Sequence, residues 1–361
     1  MTYIDPRGKT LAHLDRIVGW QRATTGKQPW KPAPVTVEWD LSNRCVLGCQ
    51  DCHFAHTHVK GPWASKPRLL PMAYDGTGDL ADTRVVGRAL DQLSHAGVQG
   101  IVWSGGGEPT THPDWQAIVR LAHQMGFQQG MYTLGGLLTK PSARLLAINT
   151  TWVVVSLDAA DRETYAAEKG VPVDRFDAAC NGVRWLAETG CATIGVSFLL
   201  HGGNWFNAPD MLSLARSLGA TYTTFRPAIR TSPETPSRTT DDRSWVDAAY
   251  LSLLRLNQQA DVEVDPSRFL AYRDWKGHGY TDCTGVRLNT TITPDGRVWI
   301  CPQRRGVTCL GDLRTESFQE LWARHPGSFA VDAGCRVMCR LHPVNETLAA
   351  LEAPRVHEAF V

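Results

Sequence analysis

Along residues 35–230, short β-branched runs alternate with amphipathic stretches. Residues 35–39, 101–103, 130–133, 151–157, 193–200 and 221–225 read as strands. Apolar positions recur at helical spacing over 82–95, 113–125, 174–188 and 208–218. Gly97, Gly126, Gly190 and Gly219 stand where helix C-caps belong. Strand, helix, strand at intervals of about 30 residues predicts a parallel α/β sheet. Six such units are too few for a closed eight-unit barrel, so an open or partial barrel is expected, with its chemistry in the loops beyond the strands' C-terminal ends.

Residues 231–244 carry no aliphatic or aromatic side chain and two prolines, and read as a linker. They divide the chain into an extension (1–34), a barrel (35–230) and a C-terminal domain (245–361). The last opens on a helix over 245–259. Apolar runs at 288–292 and 298–300 then flank Pro294-Asp295-Gly296, a hairpin signal, and 317–323 reads as a short helix.

Charge narrows the function classes. Lys and Arg number 37 against 36 Asp and Glu, a net charge of +1, which excludes nucleic-acid binding by bulk positive charge and an acidic solvating tail. The longest apolar stretches, such as 152–155, fall far short of the ~20 residues of a membrane span. Residues 1–9 are polar and lack the apolar core of a secretory signal, so a cytoplasmic protein with no membrane partner is expected.

In a reducing compartment clustered thiols hold metal more often than they pair. Of the ten cysteines, Cys45, Cys49 and Cys52 lie near the front, and Cys283, Cys301, Cys335 and Cys339 near the back. Cys180, Cys191 and Cys309 are left over; the first two fall on predicted core elements, and Cys309 reads as a buried or half-buried thiol rather than a spare ligand. The front spacing, C-x3-C-x2-C just after the first strand, fits two sites. One is tetrahedral zinc with His53, His56 or His58 as fourth ligand; the other is a [4Fe-4S] cluster with one iron left open. Gly105-Gly106-Gly107-Glu108-Pro109 follows the second strand and so shares that rim. Its glycines let backbone groups approach a ligand closely, and Glu108 offers a carboxylate to an amine. At the back, C-x12-G-x4-C followed by C-x3-C suits a zinc ribbon or an iron–sulfur site.

Taken together, the three-cysteine loop and the GGEP-like loop resemble those of the radical S-adenosylmethionine (SAM) superfamily, over about residues 35–230. The resemblance implies a partial (β/α)6 TIM-like barrel. In it, Cys45, Cys49 and Cys52 bind a [4Fe-4S] cluster whose open iron is chelated by SAM. Gly105, Gly106, Gly107 and Glu108 hold the methionine amine, and Ser156 and Asp158 contact the ribose. The position before the third cysteine, usually aromatic in the family, is Asp51 here, so Phe54 or His53 is expected to shape the adenine pocket. His53, His56 and His58 otherwise read as a solvated polar loop. The segment Thr293-Pro294-Asp295-Gly296-Arg297-Val298-Trp299-Ile300-Cys301-Pro302 resembles the auxiliary-cluster domain called SPASM, or its shortened form, twitch. It implies a small hairpin-and-helix iron–sulfur domain in which Cys283, Cys301, Cys335 and Cys339 hold a second [4Fe-4S] cluster. Arg304 and Arg305 read as a solvated charge pair.

The implied activity is reductive cleavage of SAM to a 5′-deoxyadenosyl radical, which abstracts a hydrogen from the substrate. The electron comes from a flavodoxin- or ferredoxin-type donor. Relatives with auxiliary clusters act on peptides, sugars and nucleotide-derived compounds. The thirty-four residues before Val35 are too few for an independent leader-binding domain. That favours a small-molecule or nucleotide substrate, with a peptide-modifying SPASM maturase as the alternative. The molybdopterin-pathway relatives end in Gly-Gly, and this sequence does not. A non-catalytic zinc- or iron-binding scaffold, such as a nucleic-acid adaptor, would explain the thiols but leave residues 105–109 unused. The sequence names no acid, base or radical quencher.

Overall fold

The computed structural model describes residues 5–49, 52, 80–228, 244–259, 263–264, 266–302, 305–332, 335 and 339–353. Six strands follow in order: β1 (Thr36–Asp40), β2 (Gly100–Ser104), β3 (Gln128–Thr133), β4 (Trp152–Ser156), β5 (Thr193–Leu200) and β6 (Tyr222–Pro227). Each pairs in parallel with the next, forming the expected partial barrel. Their bounds fall within two residues of the sequence reading.

Helices Thr83–His95, Trp115–Gln124, Asp174–Ala187 and Ala208–Ser217 return the chain between strands. Gly97, Gly126, Gly190 and Gly219 follow them with φ of +85°, +84°, +62° and +83°, the left-handed caps that a side chain would strain. Two connecting helices went unread in the sequence, Lys140–Asn149 and Arg162–Lys169. The second buries little more than Tyr165 and Lys169, so its apolar period is faint.

The sheet does not end with the barrel. The short β7 (Glu263–Val264) pairs in parallel with β6. β8 (Asp282–Cys283) lies apart, in a two-stranded sheet. β9 (Asn289–Ile292) pairs in parallel with β1, and β10 (Arg297–Trp299) and β11 (Cys309–Asp312) continue antiparallel. β12 (Phe329–Ala330) is the partner of β8. The hairpin and short helix of the sequence reading are therefore present as β9–β10 and Phe318–Ala323, but the hairpin extends the barrel sheet at its β1 edge. Gly296 turns it with φ +82°, and the Thr293 hydroxyl donates to Asp295 at 2.6 Å.

Side chains alternate across this sheet as the pleat requires. Val37, Trp39, Val153, Val155, Ile194 and Val196 are buried in the core beneath the helices. The opposite face is polar near the strand ends. Register sets Asp40 beside Ser104, Ser156 beside Ser197, and Ser197 beside Thr224. A packed barrel centre is filled by branched apolar side chains; a polar one is suited to holding a ligand. Among the described residues no helix is long and apolar enough to cross a membrane.

Candidate functional site

The loop leaving β1 is fixed before it reaches its first cysteine. Ser42 and Asn43 are buried, and the Ser42 hydroxyl meets the Thr111 hydroxyl at 2.7 Å. The glycine loop beyond β2 then zips to it. Gly107 N–H donates to Ser42 O at 2.9 Å and Glu108 N–H to Arg44 O at 2.7 Å. A Cβ on Gly106 would lie 2.0 Å from Asn43 Oδ1, and one on Gly107 would lie 2.1 Å from Arg44 O. The close approach that these glycines permit is thus made first to the cysteine loop.

Glu108 is 3% exposed. Its Oε1 accepts from the Thr110 and Thr133 hydroxyls at 2.6 and 2.7 Å, and its Oε2 from Leu134 N–H at 2.8 Å. Burial pushes its carboxyl above the usual range, against those bonds. It ties the loop after β2 to the end of β3.

Cys45, Cys49 and Cys52 are half-buried on this rim. Burial pushes the Cys45 thiol up, and the charges of Cys49, Glu108 and Cys52 push it further. Burial also raises Cys49, with the Lys169 ammonium pulling the other way. Gathering three thiolates here is costly without a cation, and a soft donor set of this kind suits an iron–sulfur cluster. Among the described residues, no three His, Cys, Asp or Glu side chains are placed to hold a single metal ion.

Ser156 and Asp158 stand at the end of β4. The Ser156 hydroxyl donates to Asp158 Oδ2 at 3.0 Å, Leu199 N–H donates to Oδ1 at 2.7 Å, and the Lys169 ammonium pairs with the same carboxylate. Burial alone would raise Asp158, but Lys169 holds it below the usual range. Asp158 has φ +62°, the one left-handed non-glycine among the described residues. Lys169 also fixes the cysteine loop, because its carbonyl accepts from Gly48 N–H at 2.7 Å. Beside it, Glu168 and His201 meet at 3.3 Å in a cleft of about 530 Å³ that Glu163, Thr164 and Gly203 also line.

At the back, Cys283, Cys301 and Cys339 share a small apolar cluster with Val286, Ile300 and Leu341. Cys335 is near enough that its charge acts on Cys283. Between the two cysteine sites lies a buried ionic network that the sequence reading missed. Arg305 Nε meets Asp40 Oδ2 at 2.8 Å, its Nη2 meets Glu38 Oε1 at 3.3 Å, and Arg340 pairs with Glu38. The signal was the pair of carboxylates at alternate positions 38 and 40 of β1.

Three expectations need correction. Arg305 is 3% exposed rather than solvated, because the β1 carboxylates draw it inward. Cys191 is exposed, since it lies in the turn ahead of β5, and Cys309 is exposed on the outermost strand, β11. Cys180 is buried as expected. Asp51, Phe54, His53, His56, His58, Arg304 and residues 231–243 lie outside the described residues.

Residues 39–215 match the family model described as the radical SAM superfamily, and 283–330 match one described as an iron–sulfur cluster-binding domain, SPASM. The chain is 30% identical over 304 residues to the mycofactocin maturase MftC of Mycobacterium ulcerans, covering 81% of this chain and 76% of that one. It belongs to the radical SAM superfamily. The MftC of Mycobacterium tuberculosis is 29% identical over 204 residues, and the PqqA peptide cyclase of Ruegeria pomeroyi 31% over 137. These matches cover 55% and 36% of this chain, and the chain spans 46% and 32% of those relatives. Among solved structures, Streptococcus suis SuiB bound to its precursor peptide SuiA aligns with a TM-score of 0.65 at 15% identity, over 90% of this chain and 71% of that one. The superfamily and its SPASM domain imply SAM, a SAM-binding [4Fe-4S] cluster and an auxiliary one.

Proposed function

We propose that this radical SAM enzyme modifies a peptide. Cys45, Cys49 and Cys52 hold the SAM-binding cluster, and Cys283, Cys301, Cys335 and Cys339 hold the auxiliary one. The observation that carries the reading is the three-thiol loop, locked by backbone hydrogen bonds to the Gly105–Glu108 turn above a polar barrel face. When bound, the first cluster and SAM supply a hydrogen-abstracting radical.

The chain's own residues hold and orient. The backbone of Gly105, Gly106 and Gly107, with Glu108 behind it, offers polar groups to the methionine end of SAM. Ser156 and Asp158, braced by Lys169, face the ribose, and Phe54 is assigned to the adenine. The relatives move the substrate reading from a small molecule or nucleotide to a peptide: one is named a peptide cyclase, and a protein of the same fold was solved with its precursor peptide.

Anaerobic reconstitution tests this. The chain should take up about eight irons, as two four-iron clusters require, and cleave SAM under a low-potential reductant. Changing Cys45, Cys49 and Cys52 together to Ala should abolish cleavage while keeping about half the iron. Deuterium should pass to 5′-deoxyadenosine from a deuterated peptide fraction of the host and not from its small metabolites; the reverse pattern refutes the peptide reading.

A further inference from the structure

Asn345 lies in the helix His342–Glu352, which follows the last back cysteine. It is 3% exposed, and its amide is fully engaged. Oδ1 accepts from Thr284 N–H at 2.8 Å and Gly285 N–H at 2.7 Å. Only an oxygen can accept two N–H groups, so the amide orientation is settled by its neighbours. Nδ2 therefore faces Cys283 Sγ, at 3.1 Å, and also reaches Leu341 O at 2.9 Å. A Cβ on Gly285 would lie 3.3 Å from Nδ2, tighter than ordinary contact, so glycine leaves the amide its room. The Tyr280 hydroxyl completes the shell at 3.3 Å from Nδ2.

We infer that Asn345 is a positioning residue that raises the reduction potential of the auxiliary cluster through its N–H···S bond to Cys283. The inference rests on the proposed ligation of that cluster by Cys283, Cys301, Cys335 and Cys339. Reduction adds one electron, and part of the added negative charge resides on the cysteine sulfurs. A fixed N–H dipole aimed at sulfur stabilises the reduced form more than the oxidised one. Burial strengthens the effect, since little water is present to screen it. An auxiliary cluster so tuned is the easier one-electron acceptor for a substrate being oxidised. Asn345 itself touches no reacting atom.

The experiment is an EPR-monitored redox titration in the Cys45→Ala/Cys49→Ala/Cys52→Ala background, where the auxiliary cluster alone gives a signal. Asn345→Ala should lower the midpoint so that the reduced-to-oxidised ratio at fixed potential falls about tenfold, or about 59 mV for one electron. Asn345→Asp keeps the acceptor for Thr284 and Gly285 and removes the donor; it should shift the same way with iron content intact. Tyr280→Phe, which leaves the N–H···S bond in place, should stay within about twofold of the parent ratio. Unchanged midpoints in both Asn345 variants, with four irons bound, overturn the inference. A background protein that binds no iron overturns instead the ligation on which it rests.

Discussion

At the scale of single residues, the glycines of the 105–107 turn separate two kinds of requirement. Gly107 is constrained by backbone: a methyl there would meet Arg44 O at 2.1 Å and Arg44 C at 2.5 Å, neither of which can swing aside. Gly100 sits in the same strand–loop unit, yet its nearest would-be contact is Thr36 Oγ1 at 3.4 Å. Gly107→Ala should therefore destabilise the protein by about 1–3 kcal/mol, as overpacking does. It should also part the cysteine loop from the glycine loop and lower the iron bound at the front site. Gly100→Ala should cost less and keep full iron. Urea unfolding with parallel iron analysis checks both; equal behaviour of the two variants would remove the loop-to-loop contact as the reason for the glycine.

At the scale of elements, the helix Leu14–Thr24 docks through Trp20, Ile17 and the Arg16 guanidinium, which donates to Ala33 O at 2.5 Å. Trp20 packs edge-on against Trp322 at 6.1 Å and His325 at 5.2 Å. Burial pushes the His325 imidazole down to about 3, with Lys31 and Arg287 adding to the effect, while His325 Nδ1 accepts from Gly327 N–H at 2.9 Å. An unfolded histidine titrates near 6.5. Below that value the unfolded chain binds a proton that the folded one refuses, so this contribution is complete above pH 6.5 and is lost as pH falls toward 3. Between pH 7.5 and 5.5 the loss should be about 1.4 kcal/mol. Urea unfolding followed by tryptophan fluorescence should show it in the parent and not in His325→Gln. Neither this helix nor its docking was legible in the sequence, because its buried face is only Ile17, Gly19 and Trp20. The barrel strands and caps were legible because β-branched runs and cap glycines are local signals. The pairing of β9 with β1, some 250 residues apart in sequence, has no local sign.

At the scale of the whole molecule, the two cysteine sites are joined through β1. Its carboxylates, Glu38 and Asp40, face Arg305 and Arg340, and these follow the back cysteines Cys301 and Cys339 within four residues. The front cysteines begin five residues beyond Asp40, so one strand carries both the start of the three-cysteine loop and the seat of the loops that carry the back cysteines. Burial pushes the Asp40 carboxyl up although Arg305 opposes it, and pushes Arg340 down to about 10. Such a network adds little net stability over an apolar isostere, but half of it is expensive to leave behind. Arg305→Met should therefore cost about 3–5 kcal/mol by stranding Asp40, and Asp40→Asn less, because Glu38 still faces Arg305. The double variant should cost about 1–3 kcal/mol less than the sum of the two single losses, which is the coupling energy a double-mutant cycle reads. In both single variants iron should be lost from the back site first, since Cys301 belongs to the loop that Arg305 anchors. Additive losses in the cycle would mean that the auxiliary loops are seated on the barrel by something other than these charges.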